Sequence, residues 1–270
     1  MVALILPRLV SFEGSARRST SVAERNAAAL RSAYWLVMIS GFAEPVIYLL
    51  SIGVGVGALV GDLTLPSGAV VGYAAFVAPA MLASAAMSGA LSETTFNFFG
   101  KMKYMRLYEG MLATPVRPFE IALGELAWAM VRGSLYSAAF LVVMVVLDLT
   151  SVGRALLAFP AAVLAGFAFG ALGLGLTTFA RSWQDFDLMG SIQFTLFLFS
   201  GTFVPAESYH PALRWLVEVT PLYRAVDLIR DISIGTERPL GVLIDVGYLL
   251  LVTAVGLVIA GRRMTTLLCK

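Results

Sequence analysis

Three charged residues lie inside long apolar segments of this sequence, which makes them candidates for a functional role. Glu44, Glu125 and Arg132 each interrupt a stretch that is otherwise hydrocarbon-like. A charge exposed to lipid costs on the order of 3 kcal/mol on insertion scales, so such residues pair with other groups or line a polar path. Glu125 and Arg132 share one helical face, but two helical turns put them about 10.5 Å apart.

Two interpretations of these charges are open. A structural set would lock neighbouring helices together, whereas a polar lining would accept the headgroup of an amphiphilic molecule. Because the separation along the helix is long for direct contact, we expect Glu125 and Arg132 to have different partners, with Glu44 a candidate for Arg132. Glu120 and Asp245 lie nearer the ends of their apolar segments, where we expect them to be solvated.

Residues 103–118, KYMRLYEGMLATPVRP, form a basic and aromatic stretch between two apolar segments. A helix over 103–113 would carry on one face Tyr104, Met105, Tyr108, Met111 and Leu112, and on the opposite face Lys103, Arg106, Glu109 and Gly110. This pattern fits a juxtamembrane helix whose basic residues face lipid phosphates. It also fits a docking helix that offers aromatic and Met side chains to a soluble partner.

The sequence contains no grouping that indicates an active site. Ser-His-Asp groupings, paired catalytic carboxylates and zinc-ligand spacings are not found, and Cys269 is the single cysteine. The phosphate-binding pattern G-x-x-x-x-G-K-[ST] does not occur. The apolar GVGVG at 53–57 lacks the full nucleotide-binding spacing, and no basic run indicates a nucleic-acid partner. We therefore expect no catalytic residue and no metal ligand in this chain.

The composition predicts an integral membrane protein built from helices. The chain has 270 residues, of which 59% are hydrophobic and 13% charged, with a mean hydropathy of +0.86. Soluble domains carry about 25% charged residues. Apolar runs of about 20 residues cross a bilayer, where the backbone must bond internally, as helices do. The predicted spans cover roughly 33–60, 69–91, 119–147, 155–180, 188–204 and 240–261.

The polar segments between the spans predict the orientation. Lys and Arg are concentrated on the side of both termini, while the short loops of the other side hold only Arg154, so both termini are expected to be cytoplasmic. Residues 21–35 are typical of an amphipathic helix along the cytoplasmic interface. Residues 205–238, on the outer side, predict two short amphipathic helices that Pro221 separates and that dip back into the outer leaflet.

Three blocks of the sequence resemble the permease subunits of ABC-2 type exporters, in particular the group of nodulation lipo-oligosaccharide and drug exporters. The blocks are FAEPVIYLLSIGVGVG at 42–57, RLYEGMLATPVRPFEIALGELAWAMVRG at 106–133 and SGTFVPAESYHPALRWLVEVTPLYRAVDLIRDISIG at 200–235. They follow the order expected for the family and span nearly the whole chain.

The resemblance implies an all-α integral membrane fold in the bacterial inner membrane. This fold has six transmembrane helices, an N-terminal interfacial helix, a cytoplasmic coupling helix between spans 2 and 3 at about 101–114, and outer re-entrant helices before span 6. The implied domains are a cytoplasmic N-terminal segment at 1–32, an ABC-2 type transmembrane domain at 33–262 and a cytoplasmic tail at 263–270.

The resemblance also implies a function and partners. Such permeases export amphiphilic cargo, for example a lipid-linked saccharide, another glycolipid or a hydrophobic drug. They work with a second permease subunit, identical or homologous, and with two cytoplasmic ATPase subunits. ATP and Mg²⁺ would bind to the ATPase, and no cofactor would bind to this chain. The implied ATPase contacts are Lys103, Tyr104, Arg106, Tyr108, Glu109 and Met111.

Two rival function classes stay open on the residues alone. An ATP-independent secondary transporter or channel would leave the docking face at 103–113 without a partner. A membrane scaffold or intramembrane enzyme is the other class, and an enzyme would show convergent polar residues that the sequence does not contain. Co-purification of an ATPase with this chain would discriminate all three.

Overall fold

The computed structural model describes residues 18–26, 43, 46–64, 68, 70–236 and 238–268, which are mostly helical. Helix α1 covers residues 18–26, and α2 covers Val46–Val60. A small antiparallel hairpin follows, with β1 at Asp62–Thr64 and β2 at Val70–Gly72. The later helices are α3 (Tyr73–Tyr104), α4 (Leu107–Leu112), α5 (Pro118–Val146), α6 (Val152–Thr177), α7 (Asp185–Leu198), α8 (Pro211–Val219), α9 (Pro221–Ile234) and α10 (Pro239–Leu268).

Four of the described helices, α3, α5, α6 and α10, are long and apolar enough to cross a membrane. α2 is apolar but shorter. α7 has 14 residues, which is about 21 Å of helix, against a hydrocarbon core of about 30 Å. The protein is therefore a helical membrane protein with four candidate spans. The six predicted spans, which include 33–60 and 188–204, stay a prediction.

The second predicted span is longer than the sequence analysis expected. Its predicted end was residue 91, but α3 continues to Tyr104 through π-helical turns at Glu93–Asn97 and Gly100–Tyr104. Thr94 and Thr95 do not end the helix, because their hydroxyls donate hydrogen bonds to backbone carbonyls one turn back, at 2.8 and 2.6 Å. The hydroxyls of these two threonines are thus satisfied within the helix.

Two short helices occur where the sequence predicts them, in the segment before α10. Pro221 begins α9 directly after α8, and the Thr220 hydroxyl caps α9 by accepting a hydrogen bond from the Tyr223 N–H at 3.3 Å. α9 ends at Ile234 and is capped by Gly235, whose φ of 81° suits glycine. The apolar face of α9 is buried against α3 and α6. The role of α8 and α9 as outer re-entrant helices stays a prediction.

Small residues bring the long helices close together. A Cβ added at Gly256 on α10 would lie 2.6 Å from the backbone carbonyl carbon of Ala171 on α6. A Cβ at Gly170 would lie 2.6 Å from the Leu126 side chain on α5. Close backbone approach is how helices gain packing energy in lipid, where no hydrophobic force drives them together. The bundle of α3, α5, α6 and α10 is built on such contacts.

The loops sort to two opposite ends of the bundle. At one end, the Thr150 hydroxyl donates to the Ser233 carbonyl at 3.0 Å, which joins the α5–α6 loop to α9. At the other end, Lys103 donates to the Arg181 carbonyl at 2.6 Å. This second end carries the basic segments that the sequence analysis assigns to the cytoplasm.

Cysteine labelling tests which end faces the cytoplasm. In a chain whose Cys269 is replaced, a single cysteine at Thr64 or His210 is expected to react with a membrane-impermeant maleimide added to intact cells. A cysteine at Glu109 or Thr266 is expected to react only after permeabilisation, because both lie at the basic end. Reaction of position 109 in intact cells would overturn the predicted orientation.

Candidate functional site

The predicted coupling segment is two helical pieces joined by a bend, so the single helix expected over 103–113 is wrong. Tyr104 ends the last π-helical turn of α3, and α4 begins at Leu107. Between them Arg106 has a φ of 46°, in the left-handed region, which breaks the helical path. Residues on either side of the bend therefore no longer share one face.

This bend separates the residues that the sequence analysis grouped in one partner-facing stripe. Tyr104 is 59% exposed, whereas Tyr108 is completely buried, with its ring 5.2 Å from that of Phe98. Met111 is half-buried, and Lys103, Arg106 and Glu109 are exposed. Tyr108 is thus a core residue of this end of the bundle, and a change there would act on folding before it acted on docking.

Tyr104 belongs instead to a group of five aromatic residues, the aromatic patch: Phe96, Phe99, Tyr104, Trp183 and Phe186. Tyr104 stacks on Trp183 with ring centroids 5.4 Å apart, and Phe96 contacts both Trp183 and Phe186. Phe99 and Phe186 form the buried floor, while Trp183 is 43% exposed. The patch presents a rigid aromatic surface on the basic end of the bundle.

Trp183 lies in ARSWQDFD, residues 180–187, the short polar stretch between the predicted spans at 155–180 and 188–204, where the sequence analysis proposed no site residue. Two aromatic residues in a polar turn were the available signal. The turn is held in place by Asp185, which accepts hydrogen bonds from the backbone N–H of Arg181 at 2.6 Å and of Ser182 at 3.1 Å. These bonds hold the pKa of Asp185 below its ordinary value. The turn that carries Trp183 is therefore well defined.

Glu125 on α5 is buried and pairs with Lys101 at the end of α3, with Oε2 and Nζ 2.7 Å apart. The same Lys101 ammonium donates to the Asn26 side chain of α1 at 3.1 Å. Burial raises the pKa of the Tyr108 hydroxyl well above its ordinary value, and the nearby Glu125 carboxylate adds to this shift. A buried polar cluster therefore connects α1, α3, α4 and α5 directly behind the bend.

Arg132 on α5 has a partner that the sequence analysis did not identify. Its guanidinium pairs with Glu93 on α3 and also donates to the Tyr136 hydroxyl at 3.0 Å. Glu44, the predicted candidate, lies outside the described residues. Glu93 was overlooked because it stands just past the predicted end of span 2, in a stretch interpreted as cytoplasmic. The prediction that Glu125 and Arg132 have different partners is confirmed.

The two ion pairs define an antiparallel seam between α3 and α5. Lys101 on α3 pairs with Glu125 on α5, and Glu93 on α3 pairs with Arg132 on α5. Moving about two turns back along α3 therefore corresponds to moving about two turns forward along α5, so the two helices run antiparallel. Gly89 continues the seam, since a Cβ there would lie 3.3 Å from the Tyr136 ring. Charge pairs and a small residue thus set the register of these two spans.

The expectation that Glu120 and Asp245 are solvated is wrong. Both side chains are buried, because each sits where another helix crosses the end of its span. Glu120 accepts two hydrogen bonds from Arg18 on α1, at 2.7 and 2.8 Å. Asp245 on α10 pairs with Arg224 on α9 at 3.1 Å. Position in the sequence relative to a span end did not indicate exposure here.

These sites offer an exposed aromatic surface and buried charge pairs. Among the described residues, no group of three or more His, Cys, Asp or Glu side chains could hold a metal ion. The acids and bases of the α3–α5 seam are engaged with one another. The exposed aromatic patch lies next to this seam, so a protein bound at the patch would contact a surface rigidly joined to two spans.

Comparison with known proteins identifies the family of the chain. The family model for ABC-2 type transporters matches residues 20–234. Nodulation protein J of Rhizobium leguminosarum bv. trifolii is 34% identical over 228 residues, covering 84% of this chain and 85% of that protein. Nodulation protein J of Rhizobium meliloti (strain 1021) is 33% identical over 217 residues, covering 80% and 81%. Nodulation protein J of Neorhizobium galegae is 30% identical over 233 residues, covering 84% and 87%.

The matched residues 20–234 of the family model include the bend, the aromatic patch, the α3–α5 seam and the two short helices before α10. The family match spans most of the chain, and each relative is matched over most of its own length. Taken with the four apolar helices that could cross a membrane, these findings show that the chain belongs to the ABC-2 type transporter family.

Proposed function

We propose that this chain is the permease subunit of an ATP-driven exporter that moves an amphiphilic cargo out of the cytoplasm or the inner leaflet. Membership of the ABC-2 type transporter family supports the transporter class. The observation that carries the ATP-driven part is the exposed aromatic patch beside the bend at Arg106. Aromatic residues are enriched at protein interfaces, and such a surface on the basic end fits a soluble partner.

We assign ATP hydrolysis to separate cytoplasmic ATPase subunits, and the lack of a phosphate-binding loop in this sequence supports this assignment. Two such subunits act on two permease chains, and ATP and Mg²⁺ belong to the ATPases. An ATPase that contacts Tyr104 and Trp183 would move the end of α3, and the pair between Lys101 and Glu125 would pass this motion to α5. Rigid helices then carry the motion to the opposite end of the bundle.

We propose an amphiphilic cargo, which the family and the setting in the membrane support. Amphiphiles such as a lipid-linked saccharide, another glycolipid or a hydrophobic drug partition into the bilayer before export. An apolar cavity of about 250 Å³ between α3, α6 and α7 is lined by Phe169, Leu172 and Ile192 together with the polar Ser88 and Gln193. This cavity is a suitable place for the apolar part of such a cargo.

Co-purification with an ATPase tests the proposal. The chain is purified from native membranes in mild detergent, and the associated ATPase is identified and quantified by mass spectrometry. Tyr104→Asp is expected to lower ATPase recovery about tenfold, because it places a charge in the centre of the docking surface. Trp183→Asp is expected to have the same effect, since the two rings are stacked.

Trp215→Asp is the matched control, because Trp215 is an exposed aromatic residue on α8 at the opposite end of the bundle. It should leave ATPase recovery unchanged. Equal recovery with Tyr104→Asp, Trp183→Asp and the unaltered chain would refute docking at the aromatic patch. Absence of any ATPase from the purified chain would favour the secondary transporter or the scaffold instead.

A further inference from the structure

A polar cavity of about 250 Å³ lies at the end of the bundle opposite the aromatic patch, between α9 and the segment that precedes α8. Its lining includes seven polar or charged residues: Glu207, Tyr223, Asp227, Arg230, Asp231, Thr236 and Arg238. Pockets for drug-sized ligands measure about 300–1,000 Å³, so this cavity suits a smaller group. None of these residues takes part in the proposed docking of the ATPase.

Arg230 supplies hydrogen-bond donors to the cavity from a buried position. Its residue is only 9% exposed, and its guanidinium lies 3.9 Å from the centre of the Phe76 ring. Two of its nitrogens donate to the carbonyls of Phe76 and Gly201, at 3.3 and 2.8 Å. Among the described residues no carboxylate lies within ion-pair distance of Arg230. Burial accordingly lowers the pKa of Arg230 to about 10.

Asp227 and Asp231 supply acceptors on the other wall, and both are held by Arg238. The Arg238 guanidinium contacts each of the two carboxylates at 2.9 Å. Burial raises the pKa of Asp227, although Arg238 opposes the shift. Glu207 lies exposed at the rim. The inner cavity therefore holds two guanidinium groups and two carboxylates, so its formal charges balance.

The mixture of donors and acceptors restricts the chemistry of the ligand. A carboxylate only accepts hydrogen bonds and a guanidinium only donates them, whereas a hydroxyl group does both. A phosphate or carboxylate ligand would satisfy Arg230 but would face Asp227, Asp231 and Glu207 at close range. A metal ion or an ammonium group would compete with Arg238 for the same carboxylates. A neutral ring with several hydroxyl groups can bond to both walls at once.

We propose that this cavity binds one neutral sugar ring of the exported cargo, an inference that rests on the proposed export function. The hydroxyls of the ring bridge Arg230 and the carboxylate of Asp227, and the ring lies along Tyr223, whose aromatic side chain forms part of the same wall. With the predicted orientation, the cavity is on the outer side, where a headgroup arrives as the cargo leaves the membrane. The ring is supplied either by a lipid-linked saccharide or by a free sugar.

Saturation-transfer NMR on the purified chain in lipid nanodiscs tests this binding without any ATPase. Methyl glucoside is the probe, with methyl glucuronoside and inorganic phosphate as charged comparisons. Asp227→Asn is expected to weaken methyl glucoside binding about tenfold, because it removes a charged acceptor. Glu207→Gln, at the exposed rim, should weaken binding less and leave folding intact. Glu218→Gln is the control, since Glu218 is on α8 and pairs with Arg214 outside the cavity.

Transfer to methyl glucoside that falls in both cavity variants and persists in Glu218→Gln would support the site. No transfer to the unaltered chain, equal transfer in all variants, or a preference for glucuronoside or phosphate would overturn it. If an alkyl glucoside embedded in the nanodisc competes with methyl glucoside, the source of the ring is a lipid-linked sugar. If the alkyl glucoside does not compete, the source is a free sugar. The proposed site stands in both cases. Because the chain is tested alone, failure here leaves ATPase co-purification unaffected, and failure of co-purification leaves this measurement valid.

Discussion

Arg132→Met is expected to lower the free energy of unfolding by about 3–5 kcal/mol, because it leaves the Glu93 carboxylate buried without its charge partner. Glu93 is held in place by the Asn97 amide, which donates to it at 2.7 Å, so it cannot simply turn toward solvent. Removing the second charge as well, in Glu93→Gln/Arg132→Met, is expected to restore most of the loss. Denaturant titration of the purified chain in mixed micelles measures all three variants.

Arg262→Met is the control, because Arg262 is an exposed arginine on α10; its effect should stay within about 0.5 kcal/mol. If the single and double variants lose equal stability, the pair between α3 and α5 is not what holds Arg132 in place. Such a result would contradict the seam as described.

The same variants decide between the two interpretations of the intramembrane charges. If the charges only lock helices, the double variant should transport cargo as the unaltered chain does once its stability is restored. If Arg132 lines the cargo path, the double variant should be stable but should not transport. Glu125→Gln and Arg132→Gln extend the comparison, as does Glu44→Gln for the residue outside the described ranges. ATP-dependent transport in reconstituted vesicles is the measurement, and full transport in every variant would eliminate the cargo-path interpretation.

Gly256→Ala is expected to destabilise the bundle by about 3 kcal/mol, at the upper end of the usual range for overpacked cores. The added Cβ would lie 2.6 Å from the Ala171 carbonyl carbon and 2.7 Å from its oxygen. These are backbone atoms inside α6 and cannot rotate away, so α6 and α10 must separate. Separation also affects the close approach at Gly175, where an added Cβ would lie 3.3 Å from the Gly256 carbonyl oxygen. Thermal unfolding followed by size-exclusion chromatography measures the effect.

Gly247→Ala is a matched control in the same helix, since nothing lies within 4 Å of a Cβ at this position. It is expected to be neutral or slightly stabilising, because alanine favours helix by up to about 1 kcal/mol over glycine. A similar loss of stability in both variants would show that glycine matters in α10 for its flexibility and not for close packing.

The sequence by itself determined the membrane character and the positions of several helices. The predicted span at 119–147 agrees with α5 at Pro118–Val146, and the break predicted at Pro221 separates α8 from α9. These features depend on properties that act locally, namely the length of an apolar run and the missing N–H of proline. The three family-like blocks pointed correctly to the ABC-2 type transporter family.

Only the tertiary structure decided which side chains meet. Lys101 contacts Glu125 across 24 residues of sequence, and Arg18 contacts Glu120 across 102 residues. The bend at Arg106 turned Tyr108 into the core and left Tyr104 to stack on Trp183, a residue that the sequence analysis did not include among its site residues. Burial and pairing depend on how helices cross, and helix crossing is set by the sum of many contacts between distant segments. Hydropathy along a single helix carries no information about that sum.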